Sequence, residues 1–178
     1  MVFVLILAAI SLAMALAMLF MVSRGSYVSS QQKRFRTAVE AGLGGMEAMF
    51  QMISNNGDLT TPYTNQVLPN GVSALKTKLA GPLATWGGLD NSSTINSTDT
   101  TSYDMRIDIG TYRVYSKIVD TVQGNSSASD ELLKTGVVDT SSGEVVVVSI
   151  PYLYTIEVLS HSTTNSTERS KLSVLYQY

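Results

Sequence analysis

The chain lacks cysteine altogether, and it carries only four prolines, one histidine and few charges. Without thiols there is no disulfide scaffold, no thiolate metal site and no cysteine nucleophile. Only 15% of the 178 residues are charged, against roughly 25% in an ordinary soluble domain. Ser, Thr and Asn must therefore build the surface. A formal net charge of −2 leaves no basic face for nucleic acid, so no nucleic-acid partner is expected. No P-loop, dinucleotide fingerprint or nucleophile elbow occurs in the sequence. His161, in "SHSTTNST", reads as a solvated loop residue. Asp99, Asp104 and Asp108 fit no calcium loop, and Asp104 and Asp108 read as outward strand positions. The sequence therefore calls for no catalytic residue, metal or cofactor, and it reads as a protein that is not an enzyme.

What is present begins with "MVFVLILAAISLAMALAMLFMVSRGSYVSSQQKRFR". Met1 to Val22 carries no charge, and Arg24, Lys33, Arg34 and Arg36 follow closely. About 20 apolar residues is a transmembrane length, longer than the 7–15 of a signal-peptide core. Basic residues after the span would place the remainder in the cytoplasm. Yet the remainder holds four N-x-S/T sequons, at Asn91, Asn96, Asn125 and Asn165, which suit an exterior surface. A short basic leader, removed just before Met1, reconciles the two, with Met1 as a processed N-terminus and the apolar segment retained.

The apolar segment continues into a second pattern. Phe35, Val39, Leu43, Met46, Phe50 and Ile53 recur at steps of four and three, one stripe of an amphipathic helix. No proline precedes Pro62, and Asn55-Asn56-Gly57 supplies a stop, so a single helix is expected from near Met1 to about Asn55. Gly25, between Arg24 and Ser26, is the candidate helix break, since glycine costs about 1 kcal/mol relative to alanine.

Beyond this helix the signals turn to strands. "GVSALKTKLAGP" suggests a short helix around Val72–Leu79, and "DNSSTINSTDTTS" reads as an exposed polar loop. Met105, Ile107 and Ile109 alternate with polar residues, and so do Tyr112, Val114, Ser116 and Ile118 across Gly110-Thr111, the pattern of a β-hairpin. "EVVVVSIPYLYTIEVL" reads as one long strand or two, and Leu172, Val174, Tyr176 and Tyr178 as the last. Tyr112, Tyr152, Tyr154 and Tyr176 alternate like sheet-core or interface residues. The expected fold is α+β, a long N-terminal helix packed on a C-terminal antiparallel sheet of four or five strands. Its segments are 1–25, an apolar membrane or filament-core helix; 26–55, the amphipathic continuation; and 56–178, a β-rich head. The Phe35–Ile53 stripe is expected to face the sheet.

An uncharged N-terminal helix that continues as the spine of a β-rich head resembles the type IV pilin superfamily. "FRTAVEAGLGGMEAMFQMI" is similar to the "AEAGL" segment of PilX-like pilins, and "YLYTIEVLSHSTTNSTERSKLSVLYQY" to that group's closing hairpin. The resemblance covers about the first 55 and last 30 residues. It implies a structural subunit of a cell-surface filament, held in the inner or cytoplasmic membrane before assembly and polymerising through its N-terminal helix. The implied partners are copies of itself or other pilins, the membrane, a prepilin peptidase and the pilus assembly machinery. It also implies an N-methylated Met1, with Leu5, Ala9, Ala13, Leu16 and Phe20 packed in the filament core. Major pilins usually begin with Phe and carry Glu at the fifth position, where this chain has Met1 and Leu5. The departure fits PilX-like proteins and some pseudopilins. Two other readings stay open: a pseudopilin of a secretion system, and a membrane-anchored extracellular binding module that never polymerises.

Overall fold

With no proline to remove a backbone donor, the opening helix α1 runs without interruption over Val2–Ser54. It stops where the sequence carries its stop residues. Asn56 (φ 51°) and Gly57 (φ 75°) turn left-handed, which glycine and asparagine tolerate best. The Asn56 amide then donates to the Ile53 carbonyl and the Gly57 amide to the Met52 carbonyl, both at 2.9 Å. This pairing closes a Schellman motif and satisfies two terminal carbonyls. The computed structural model describes residues 1–58, 65–123 and 152–178. Two compact units result, Met1–Thr37 and Ala38–Tyr178.

The first unit is helix alone, and every residue of it is exposed. In the second, α1 from Ala38 onward packs on a five-stranded antiparallel sheet, so the fold is α+β. The strands are β1 (Gln66–Val67), β2 (Met105–Ile109), β3 (Tyr112–Gln123), β4 (Tyr152–Ser162) and β5 (Arg169–Gln177). They lie in the order β1-β2-β3-β4-β5, a meander in which each strand pairs with its sequence neighbour. The expected hairpin joins β2 and β3 through Gly110-Thr111, with Ile109 opposite Tyr112. Gly110 has φ +59°, the positive angle a two-residue hairpin turn demands at its first position. The expected short helix is α2, Gly71–Ala80. The Val-rich run 145–148 lies outside the described residues.

The face that α1 turns to the sheet differs from the expected stripe. Buried on it are Ala38, Ala41, Gly42, Gly45, Ala48, Met49, Met52 and Ile53. Of the expected residues, Ile53 is buried, and Val39, Met46 and Phe50 are half-buried on the flank. Leu43 is 46% exposed and Phe35, in the first unit, 63% exposed. The true face is turned from the expected one by roughly 100°, one residue's worth of rotation. Close approach explains the difference. A Cβ on Gly42 would meet Leu172 Cδ1 at 3.1 Å, and one on Gly45 would lie 2.8 Å from Val114 Cβ. Small residues let the helix sit deep on the strands, and the bulky side chains close in from the side. The Ser160 hydroxyl donates to the Ala38 carbonyl, and the Ser170 hydroxyl does so at 3.0 Å, tying helix to sheet at the same place.

Phe50 shows what the flank contributes, since its ring stacks on Tyr176 at 4.2 Å. Phe50→Asp loses that stacking and part of the buried apolar area. It is expected to cost about 2–3 kcal/mol. Gln51 is exposed, and Gln51→Asp should cost no more than about 0.5 kcal/mol from an acid near the helix C-terminus. Thermal melts of the two variants check this, and equal melting points would contradict it.

The sheet's second face is covered too, and the sequence reading missed this. On β3, Tyr112, Val114, Ser116 and Ile118 are buried as expected, but so are Tyr115 and Lys117 between them. The cover is the segment expected to be a solvated loop. Ile95 and Tyr103 pack on Tyr115, with Leu159 of β4 against the same cluster. Tyr103 meets Tyr115 edge-on at 4.8 Å. Two apolar side chains are enough to seat the strap because its hydroxyls satisfy its own backbone. The Ser102 hydroxyl donates toward the Asn96 and Asp99 carbonyls and accepts from the Asn96 amide. His161 is also corrected, from loop to strand. It lies in β4 and stacks on Tyr115 at 5.4 Å.

Candidate functional site: an apolar helix and a buried charge cluster

The first feature able to act on surroundings is the uncovered half of α1. An 18-residue window of this helix has mean hydropathy 2.8, with none of it buried inside the protein. At 1.5 Å per residue, Met1–Val22 covers roughly 30 Å, the thickness of a bilayer's hydrocarbon core. The helix is therefore long and apolar enough to cross a membrane. Its one hydroxyl in this stretch is internally satisfied, because Ser11 Oγ donates to the Leu7 carbonyl at 2.8 Å. Arg24 closes the span with its guanidinium 5.1 Å above the Phe20 ring, its alkyl stem along apolar surface.

The residues expected to pack in a filament core all lie here. Leu5, Leu16 and Phe20 are 70%, 57% and 62% exposed, Ala9 and Ala13 are exposed as well, and Met1 is wholly open. A candidate break at Gly25 is not present in this chain by itself. The helix passes through it, and a Cβ there would meet nothing within 4 Å. One glycine costs only about 1 kcal/mol, little against the hydrogen bonds of a helix with no proline in it.

The second feature is a cluster of charges inside the head, formed around Lys78 and Asp104. Lys78 sits on α2 between Leu75 and Leu79, both buried, and is itself only 1% exposed. Asp104, just before β2 and expected to face outward, is 5% exposed. The Lys78 ammonium lies 2.9 Å from Asp104 Oδ1 and 3.0 Å from Oδ2. It also donates to the Asp90 carbonyl at 2.9 Å and the Ile118 carbonyl at 3.0 Å. Asp104 Oδ2 accepts the Ile118 amide at 2.8 Å. Burial pushes the Lys78 amine below its ordinary range despite the attraction of Asp104. Burial likewise pushes the Asp104 carboxyl up despite the attraction of Lys78. Both partners are thus driven toward their neutral forms.

A second pair extends the cluster. Lys117, fully buried on β3, donates to Asp90 Oδ2 at 2.6 Å and to Ser92 Oγ at 3.1 Å. The Asp90 carboxyl gains from burial an upward push, which the hydrogen bonds from Lys117 and Ser92 outweigh, so its pKa falls below the ordinary value. Asp90 and Ser92 open the strap, so these bonds anchor it across the sheet. Lys171 adds another anchor through the Ser93 carbonyl at 2.8 Å. A sequence signal for Lys78 does exist. It occupies the apolar positions of α2, three residues after Leu75 and one before Leu79, where a charge must find a partner.

The sequons are placed differently from one another. Asn91 and Asn96 are exposed on the strap. Asn96 Oδ1 accepts from the Thr98 amide and hydroxyl at 3.1 and 2.8 Å. Asn165, half-buried in the β4–β5 turn, holds Thr167 the same way, but its Nδ2 is engaged by Glu168 Oε1 at 3.0 Å. Asn125 lies outside the described residues. Among the described residues, no group of three or more His, Asp or Glu side chains is placed to hold a metal ion.

No protein-family model matches the chain, and neither the curated proteins nor the solved structures contain a significant match to it.

Proposed function

We propose that the protein is a pilin-like subunit of a cell-surface filament, anchored in a membrane by Met1–Val22 and polymerising through that same segment. The observation that carries the reading is the division of labour along one helix. From Ala38 its small residues are consumed by the head's sheet, whereas every residue of Met1–Val22 is exposed. An apolar surface of that extent belongs against lipid or against other apolar helices. Moving from lipid to a filament core exchanges one apolar surrounding for another. Net attraction must then come from packing, and Ala8, Ala9, Ala13, Ala15 and Ala17 allow helices to approach closely. Leu5 keeps the segment free of a carboxylate, so no buried side-chain charge has to be matched along it. The hydroxyl-rich head remains in solvent, where it supplies solubility, adhesion or a surface for glycans at Asn91 and Asn96.

Deleting residues 1–22 tests the proposal. The shortened protein is expected to be a soluble monomer by light scattering, while the full chain fractionates with membranes and with sheared surface fibres. Filaments formed without residues 1–22 would refute the assembly mechanism. Full-length protein confined to membranes, and absent by mass spectrometry from sheared material, would favour a non-polymerising anchored module.

A further inference from the structure

We propose that Lys78 and Asp104 become joined by an intramolecular isopeptide bond, a covalent staple between α2 and the residue that precedes β2. The inference concerns the head alone and does not depend on the filament reading. An amine and a carboxyl normally ignore each other in water because both are charged and hydrated. Here neither condition holds: the two side chains are 2% and 5% exposed, and Nζ lies 2.9 and 3.0 Å from the two carboxyl oxygens. The Trp86 ring, with its centroid 5.0 Å from Nζ, helps to close the site. Burial favours the neutral amine and neutral acid over the ion pair, which supplies a nucleophile and an electrophile in contact. Fixing them at this distance removes the entropic part of the barrier.

The surrounding backbone fits the reaction. First, a proton passes from the Lys78 ammonium to Asp104 Oδ1, along the existing contact. The Nζ lone pair then attacks Cγ, and the C=O electron pair moves onto Oδ2. The Ile118 amide already donates to Oδ2 at 2.8 Å, so a hydrogen-bond donor waits where negative charge develops. The Asp90 and Ile118 carbonyls accept from Nζ at 2.9 and 3.0 Å and hold the amine as it becomes positive. Loss of a second proton from Nζ to the departing Oδ1 releases one water and leaves the amide. Atoms and charge balance without an oxidant, a reductant or a metal. The bond would close a loop spanning 78–104, which includes the strap over the sheet. In a chain without cysteine it would do the work of a disulfide while remaining indifferent to redox conditions.

Tryptic mapping of the denatured full chain tests the proposal. The expected result is a peptide 77–106, uncut after Lys78 and about 18 Da lighter than its sequence, the mass of one water. In Asp104→Asn the departing group would be ammonia, so the deficit should become about 17 Da. Cleavage after Lys78, with peptide 79–106 at its unmodified mass, would overturn the proposal. So would an 18 Da deficit that survives in Asp104→Ala.

Discussion

Gly45→Ala is expected to destabilise the head by about 2–3 kcal/mol, although alanine is the better helix former by about 1 kcal/mol. The new methyl would overlap Val114 Cγ1 and stand 2.8 Å from Val114 Cβ. Val114 is fully buried in the middle of the sheet, paired with Ile107 on one side and Ser160 on the other, so it cannot step aside. Either the helix lifts off the strands or Val114 adopts a strained rotamer, and overpacking of this kind exceeds the propensity gain. The melting temperature should fall by about 5–10 °C for a unit of this size. Gly44→Ala is the control one residue away. Its Cβ would meet only the end of the Ile109 side chain, at 3.2 Å, which can move. That variant should melt at or slightly above the parent. Thermal melts followed by circular dichroism in detergent compare the three proteins, and equal loss from both substitutions would remove the close approach as the cause.

The larger effect is expected from Asp104→Ala, at about 3–5 kcal/mol. The substitution strands the Lys78 amine in a site with two backbone carbonyls but no carboxylate, and it deprives the Ile118 amide of its acceptor. The cost combines the lost link between Lys78 and Asp104 with a buried amine left without its carboxylate, so removing the amine should recover part of it. Adding Lys78→Met to Asp104→Ala is therefore expected to raise the melting point above that of the single variant. Stepwise chemical denaturation of both proteins reads the difference. A double variant no more stable than Asp104→Ala would mean that the amine of Lys78 was not what the single substitution exposed.

These two sites mark where the sequence could and could not be read. Helix α1 was legible because length, absence of proline and a stop at Asn55-Asn56-Gly57 all agree. The β2–β3 hairpin was legible because alternation and Gly110 agree. The face of α1 was not, for a physical reason. Hydrophobic periodicity tracks large side chains, and a helix that lies deep on a sheet is positioned by its smallest ones. Gly42 and Gly45 carried the signal, yet by helix propensity alone a glycine only weakens a helix. Asp104 misled in the opposite sense. Alternation with Met105 pointed it to solvent, but its partner comes from α2 twenty-six positions earlier in sequence, a distance over which local pattern is silent. The strap was read as low-complexity loop because Ile95 and Tyr103 are outnumbered by hydroxyls. Those hydroxyls turned out to bond the strap to itself. The candidate membrane segment needed no tertiary information, since its length and hydropathy alone mark it.

The strap also bears on the conditions the head can tolerate. The bonds that Ser102 and Asn96 make within it join hydroxyls, amides and carbonyls, neutral pairs that dissolved ions do not screen, and the Asp90 and Asp99 carboxylates accept short local bonds from Ser92 and Thr101. The lysines that matter most, Lys117 against Asp90 and Lys78 against Asp104, are withdrawn from bulk water, where a Debye atmosphere has little reach. The open pairs, Lys76 with Asp58 and Arg113 with Asp108, are of the kind worth no more than about 1 kcal/mol each. Ionic strength is thus a weak lever on this fold. A surface built in this way can pass between fresh water and brine without rearranging its supports.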